Sequence, residues 1–345
     1  MSVKEQSAPR GPVPALALMI LAPVIAEVLS GATKMSYIIA LIPEILVWGG
    51  GALLIRELVR RWGGGWTSVF LLGLGLAIAE EFLIQQTSIA PLPWLGNTPA
   101  YGRVWGVNWL YFLYMLGYES VWVVLVPVQL TELIFPERRN ERWLRPRGLV
   151  MVSFLFVVGS LIAWFSWTQR ARPMVFHVAK YVPPLLTVVV GALAIALLAV
   201  MAHAMRTTAA LGVSASRKAA SPWLVGLGTL ALGFVWYGLI VLVFAPQPNL
   251  PLWIPMAGGV AWAGLAFFVV KRWVTSTGWG DLHRWSLVSN AILVCMVAGF
   301  LGSSTWSRMD VIAKLVLNVI AVVLLLLLGR SILASKASST VSPTL

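Results

Sequence analysis

The sequence predicts an all-α fold: a polytopic transmembrane helix bundle of about ten spans, with the N-terminus and C-terminus cytoplasmic. Three observations point there. Of 345 residues, 59% are hydrophobic and only 11% charged, whereas a soluble domain carries about 25% charged residues to face water. The apolar residues form continuous runs close to the roughly 20 residues that a helix needs to cross a bilayer core. The 25 Lys and Arg fall in short segments between those runs, and do so unevenly.

Ten runs fit the template: 14–31, 37–57, 67–86, 108–134, 149–167, 182–204, 222–245, 252–271, 285–302 and 310–330. Lys4 and Arg10 precede the first run in the manner of a signal peptide. Pro23 and Glu27 interrupt that run and another follows at once, so an uncleaved first span is expected. Pro246, Pro248 and Pro251 mark a turn between the seventh and eighth runs.

The positive-inside rule orients the bundle. With the N-terminus inside, the inner segments hold Lys4, Arg10, Arg56, Arg60, Arg61, Arg138, Arg139, Arg142, Arg145, Arg147, Arg206, Arg217, Lys218, Lys271, Arg272, Arg284, Arg330 and Lys336. Outside are Lys34, Arg103, Arg170, Arg172, Lys180, Arg308 and Lys314. A missed or invented span would scramble this bias. The localisation expected is integral, multi-pass and in a bacterial inner (cytoplasmic) membrane. The net charge of +13 is thereby absorbed by topology, and nucleic acid is not expected as a partner. The single cysteine, Cys295, excludes an internal disulfide.

Trp62, Trp66, Trp109, Trp167, Trp223, Trp253, Trp273 and Trp285 sit near span ends, as an interfacial belt requires. Gly49–Gly51, Gly73 with Ala77, and Gly258–Gly259 read as close helix contacts. A locally unwound site at Gly49–Gly51 is the alternative there. No internal repeat is visible.

The informative residues are acids. Of twelve, five fall well inside predicted spans: Glu27, Glu44, Glu80, Glu81 and Glu119, all in the first four. This suggests a four-span half, 1–147, carrying an intramembrane carboxylate cluster, and a six-span supporting bundle, 148–345. At 1.5 Å per residue, Glu27, Glu80 and Glu81 lie about 6–10 Å from the outer helix ends, Glu44 about 10 Å deep and Glu119 about 16 Å deep. An acid facing lipid costs about 2.5–3.5 kcal/mol, so these should face inward. Burial and like charge both oppose ionisation, so such a set titrates jointly. It can hold a cation, relay protons, or act as acid and base. A single intramembrane Glu can also simply hydrogen-bond two helices together.

Neighbours fit a site. Gln85 lies four residues after Glu81, on its helix face. Pro23 and Pro43 each free a carbonyl one turn back, near an acid. The outer loop Ser88–Val107 is long enough to cover the cluster or to be an ordinary connection, and its Arg103 is the nearest positive partner.

Ala79-Glu80-Glu81-Phe82-Leu83-Ile84-Gln85 resembles the first motif of the CAAX-protease and bacteriocin-processing family of intramembrane glutamate proteases, a Glu pair followed four residues later by Arg. The family's next motif, an aromatic residue, three others and His, corresponds to Met115–Glu119. Gln85 stands where the Arg should be, Glu119 stands where the His should be, and no later His has a partner four residues on. The resemblance covers the third and fourth spans, with Tyr118 and Glu119 in the second motif. It implies a water-activating role for Glu80 or Glu81, with oxyanion stabilisation weakened by the missing His. Gly50-Gly51-Ala52-Leu53-Leu54-Ile55-Arg56-Glu57 and Tyr101-Gly102-Arg103 are similar to stretches of uncharacterised multi-spanning bacterial membrane proteins.

There is no phosphate-binding glycine loop, zinc spacing or serine nucleophile motif, and no metal or cofactor is indicated. The expected function is transport, by an outward-facing carboxylate site for protons, a cation or a cationic solute. That site would use Glu27, Glu44, Glu80, Glu81, Gln85, Arg103, Tyr118 and Glu119. The alternatives are an intramembrane hydrolase with Glu80, Glu81 and Glu119 catalytic, and a non-catalytic scaffold or sensor. Arg138, Arg139 and Arg142 are topology determinants that could also meet anionic lipid headgroups.

Overall fold

Hydrophobic runs of this length leave the chain one way to satisfy its backbone within a bilayer, by hydrogen bonds inside each helix. The computed structural model describes residues 11–95, 98, 100–206, 218–245 and 249–340, with side chains as far as 336. Lys4, Arg10, Arg217 and the turn at 246–248 lie outside the described residues.

Among the described residues, eight helices are long and apolar enough to cross a membrane. They are α2 (Met35–Trp62), α3 (Trp66–Ile84), α4 (Trp109–Ile134), α5 (Pro146–Met174), α6 (Leu185–Ala204), α7 (Pro222–Phe244), α8 (Trp253–Val274) and α10 (Arg308–Lys336). The shorter apolar α1 (Val13–Leu29) and the more polar α9 (Asp281–Ala298) complete ten segments. Each corresponds to one predicted run. The largest boundary error is at the last helix, which continues to Thr340 past the predicted end at 330.

The segments divide by what covers them. In α2, α3 and α4 between 50% and 61% of the apolar stretch is buried by protein, against 11% in α6 and α8. Phe154, Leu161, Leu185, Leu193, Val200, Phe268 and Leu324 point outward, as lipid-facing residues should. The core joins α1, α2 and α4 to α9 through Ile25, Val47, Trp48, Trp122, Val123, Ile292 and Cys295. Trp122 Nε1 donates to the Ala291 carbonyl at 2.7 Å across the α4–α9 contact. One helix from the C-terminal part therefore sits at the centre beside the acid-bearing helices.

Glycines set two of the close approaches. A Cβ on Gly49 would stand 2.0 Å from the Met19 carbonyl oxygen, and one on Gly73 would stand 3.3 Å from Ser120 Cα. Gly49 to Gly51 stay helical, so packing is their role and the unwound alternative is not seen. The Met19 carbonyl is the one that Pro23 frees, and it meets Gly49 instead of an acid. Gly259 packs on Leu113 and Leu239, but Gly258 meets nothing within 4 Å, which corrects its reading as a contact glycine.

The inner end of the bundle is locked by a buried ion network absent from the sequence reading. Arg56 Nη1 donates to Glu57 at 2.9 Å and its Nε to Glu132 at 3.4 Å, while Arg60 reaches Glu132 at 2.7 Å. The Arg56 guanidinium lies 3.5 Å from the centre of the Trp143 ring. Glu57 also accepts from the backbone N–H groups of Trp143 and Leu144. Nearby, Arg139 makes a two-pronged pair with Asp281 at 2.7 and 2.6 Å, which raises its pKa further above the usual arginine value. Arg138 pairs with Glu141. Two of the three arginines considered for lipid headgroups are thus engaged within the protein.

Candidate functional site

All five acids stand at or beside a local widening of their helices into π-helix: Val24–Leu29, Ile45–Gly49, Ala79–Ile84 and Glu119–Leu125. Such turns normally make up well under 1% of residues and are frequent at functional sites. The wider turn decreases the angle between consecutive side chains. Glu80 and Glu81, adjacent in sequence, are both turned inward at 2% and 1% exposure. The Gln85 N–H closes this turn on the Glu80 carbonyl, five residues back.

The acids converge. The charges of Glu44 and Glu80 act on Glu27, those of Glu81 and Glu44 on Glu80, and those of Glu80, Glu81 and Glu27 on Glu119. Thr33 ties two of them, its hydroxyl 2.5 Å from Glu44 Oε1 and 3.5 Å from Glu27 Oε2. Ser88 Oγ donates to Glu81 Oε2 at 2.6 Å, and the Ser88 N–H and Thr87 hydroxyl lie beside the same carboxyl. Glu81 and Glu119 are close enough to share one hydrogen bond, which needs a proton on one of them. Without it, neither Glu119 oxygen has a donor, and neither does either oxygen of Glu80. Among the described residues no Lys, Arg or His forms an ion pair with any of the five. Nor are any three Asp, Glu, His or Cys side chains grouped as metal ligands. Glu44, Glu80, Glu81 and Glu119 are buried, and Glu27 is of intermediate exposure.

Burial here owes as much to loops as to depth. Glu27 is two residues from the end of α1, and Glu81 three from the end of α3, so both lie nearer the helix ends than predicted. The chain covers them by folding back. Gln86 adopts a left-handed φ of 63°, and Asn108, fully buried, donates from Nδ2 to the carbonyls of Thr87 and Ala90. Arg103 donates to Asn108 Oδ1 and to the carbonyls of Ala90 and Ile89, and from α5 Arg172 reaches the Pro91 carbonyl. A two-residue hairpin, β1 (Arg103–Val104) with β2 (Val107–Asn108), closes the loop.

Arg103 is therefore a loop clamp and makes no ion pair with the acids. Desolvation lowers its pKa from the usual arginine value. Gln85 is half-buried and its expected place beside Glu81 is taken by Ser88, because the helix ends before Gln85 completes an α-helical turn. Tyr118 does join the site, donating to the Ala26 carbonyl next to Glu27. The sequence reading missed Thr33 and Ser88, hydroxyl residues in turns just beyond the acid-bearing helices. It also missed Lys314 of α10, which is buried and caps the Leu29 carbonyl at the end of α1.

Over residues 16–343 the chain matches the family described as Uncharacterized membrane protein family. The chain belongs to this family. No curated protein and no solved structure matches it. Membership in this membrane protein family, with the apolar helices, makes the chain an integral, multi-pass membrane protein. The match does not extend to the CAAX-protease family, so Glu80, Glu81 and Glu119 inherit no catalytic role from it.

Proposed function

We propose that this protein is a transport-type membrane protein whose carboxylate cluster binds protons in exchange for a cation or a cationic solute. The observation that carries this reading is Glu80, whose buried carboxyl has no donor on either oxygen among the described residues and stands among the charges of Glu81 and Glu44. A buried polar group left without partners costs about 1–3 kcal/mol, so a proton, a water or a cation is expected to meet it. A scaffold acid is expected to be tied down, as Glu57 is by Arg56 and two backbone N–H groups. From the partly accessible Glu27, the Thr33 hydroxyl leads to Glu44, and Glu80 leads on to Glu81 and Glu119. That order suits proton passage or stepwise replacement of protons by a cation. The folded-back loop from Gln86 to Asn108 gives the arrangement the character of a closed state.

A hydrolase is the second reading, favoured by Glu81 and Glu119 lying within one hydrogen bond of each other beside Ser88. All three histidines lie outside this cluster, so an acid pair without a His donor would have to perform both proton transfers. Purified protein in liposomes separates the two. The transport reading predicts dissipation of an imposed pH gradient on addition of a cation, lost in Glu80→Gln. The hydrolase reading predicts cleavage of a membrane-spanning peptide, lost in Glu81→Gln. Neither activity in the wild-type protein would leave both readings without support.

A further inference from the structure

Two of the acids meet at a turn of chain that the C-terminal hairpin holds in place. Thr33 bonds to Glu44 and lies within reach of Glu27, and among the described residues it is the only hydrogen-bond donor to either carboxyl. Thr33 is half-buried, while Ala32 on one side and Met35 to Ile39 on the other are exposed. One turn between α1 and α2 therefore stands between the Glu44 carboxyl and the outer surface. Behind it, Glu44 Oε2 is buried and has no partner among the described residues.

The turn has a point of give at each end. Gly31 adopts a left-handed φ of 83°. The first residues of α2, Met35–Ala40, form a 3-10 helix broken at Tyr37, where φ is −118° and ψ 21°. Such tight turns have poorer hydrogen-bond geometry than the α-helix and often mark hinges. The two ends are also held differently. At the near end, buried Lys314 caps the Leu29 carbonyl. The Trp306 ring packs so closely on Gly31 that a Cβ there would stand 2.3 Å from it, and Lys34 lies over the same ring at 5.2 Å. At the far end the polar hold is a single carboxylate. Asp310 accepts from the Ser36 N–H at 2.9 Å and the Ser36 hydroxyl at 3.1 Å, and the Ser307 hydroxyl orients it at 2.7 Å. Ser36 is exposed, so water competes for these bonds.

We propose that the turn from Gly31 to Tyr37 is the outer gate of the carboxylate site and that Asp310 is its latch. Asp310 is then a positioning residue, acting on the acids through Ser36 and Thr33. Release of Ser36 lets the turn swing on Gly31 and Tyr37, lifts the Thr33 hydroxyl from Glu44 and opens that carboxyl to the outside. The inference rests on the transport reading above and names where its site opens. It also gives α10, which carries none of the five acids, a part in controlling them.

The test is carboxyl accessibility in the full-length protein in detergent, since modification of a buried group tracks the population of the open form. A water-soluble carbodiimide with glycinamide converts accessible carboxyls to amides, read peptide by peptide in a mass spectrometer. Asp310→Ala should speed amidation of Glu44 at least about fivefold, while Glu57 in the inner ion network stays unmodified. A disulfide joining Ser36→Cys to Asp310→Cys should slow it at least about fivefold relative to the same protein reduced; Cys295 is buried and takes no part. If thermal unfolding shows that Asp310→Ala does not fold, the oxidised and reduced double-cysteine protein decides alone. The gate is overturned if Glu44 reacts equally with the latch intact, removed and cross-linked, or if Glu57 speeds up as much as Glu44. Latch-independent labelling beside a cation-driven proton flux through Glu80 removes the gate and keeps the transport reading. Latch-dependent labelling without that flux keeps the gate and removes the transport reading.

Discussion

Glu80 and Glu57 are both buried glutamates in apolar helices, yet replacing each by glutamine should move stability in opposite directions. Glu57 accepts from Arg56 at 2.9 Å and from the backbone N–H groups of Trp143 at 2.8 Å and Leu144 at 3.2 Å. Glutamine there leaves the Arg56 charge short of a partner, and breaking a buried pair costs about 3–5 kcal/mol. Glu80 has no donor to lose. Glutamine there is a neutral side chain of the same shape that offers an N–H to the neighbouring carboxyls, recovering part of the roughly 1–3 kcal/mol that an unsatisfied group costs. The two variants should therefore differ by at least about 3 kcal/mol in reversible unfolding of purified protein in mixed detergent micelles. If Glu80→Gln destabilises by more than about 2 kcal/mol, Glu80 is a structural residue and the case for a site built on it fails.

Three further outcomes test the packing that positions the cluster. Gly49→Ala places a Cβ about 2.0 Å from the Met19 carbonyl oxygen, and overpacking of this kind costs about 1–3 kcal/mol, visible as a lowered unfolding midpoint. Asn108→Leu removes the donors to Thr87 and Ala90 and the acceptor for Arg103. It should make the loop between α3 and α4 sensitive to protease while the remaining helices stay resistant. Asp281→Asn weakens the half-exposed pair with Arg139 and should cost about 0.5–1 kcal/mol, with most of that absent when Arg139 is already Gln.

The ten segments were legible because each needs only a long apolar run, and the acids stood out because carboxylates are rare in such runs. Their convergence was not legible. Which way Glu80 and Glu81 point depends on a π-helical turn, whose only sequence traces are nearby prolines such as Pro23, Pro43 and Pro127, and Ala79–Ile84 has none close by. The expected partners failed for a related reason. Gln85 was placed by regular α-helical spacing that the π turn breaks, and Arg103 was assigned by charge although loop carbonyls claim all its contacts. Arg56 read as a topology signal and its pairing with Glu57 and Glu132 went unseen, because pairing between helices leaves no periodic mark. Thr33 and Ser88 entered through turns, where spacing says little about neighbours.

The measurement closest to the central claim is proton release from the purified protein in weakly buffered detergent as a cation is added, followed with a pH indicator. If the convergent carboxyls are a binding site, the wild-type protein releases protons saturably as sodium, potassium or an organic ammonium ion is titrated in, and the release falls by at least half in both Glu80→Gln and Glu119→Gln. Equal release from the wild-type protein and the two variants, or none from any of them, would mean that these acids meet in the membrane without binding anything.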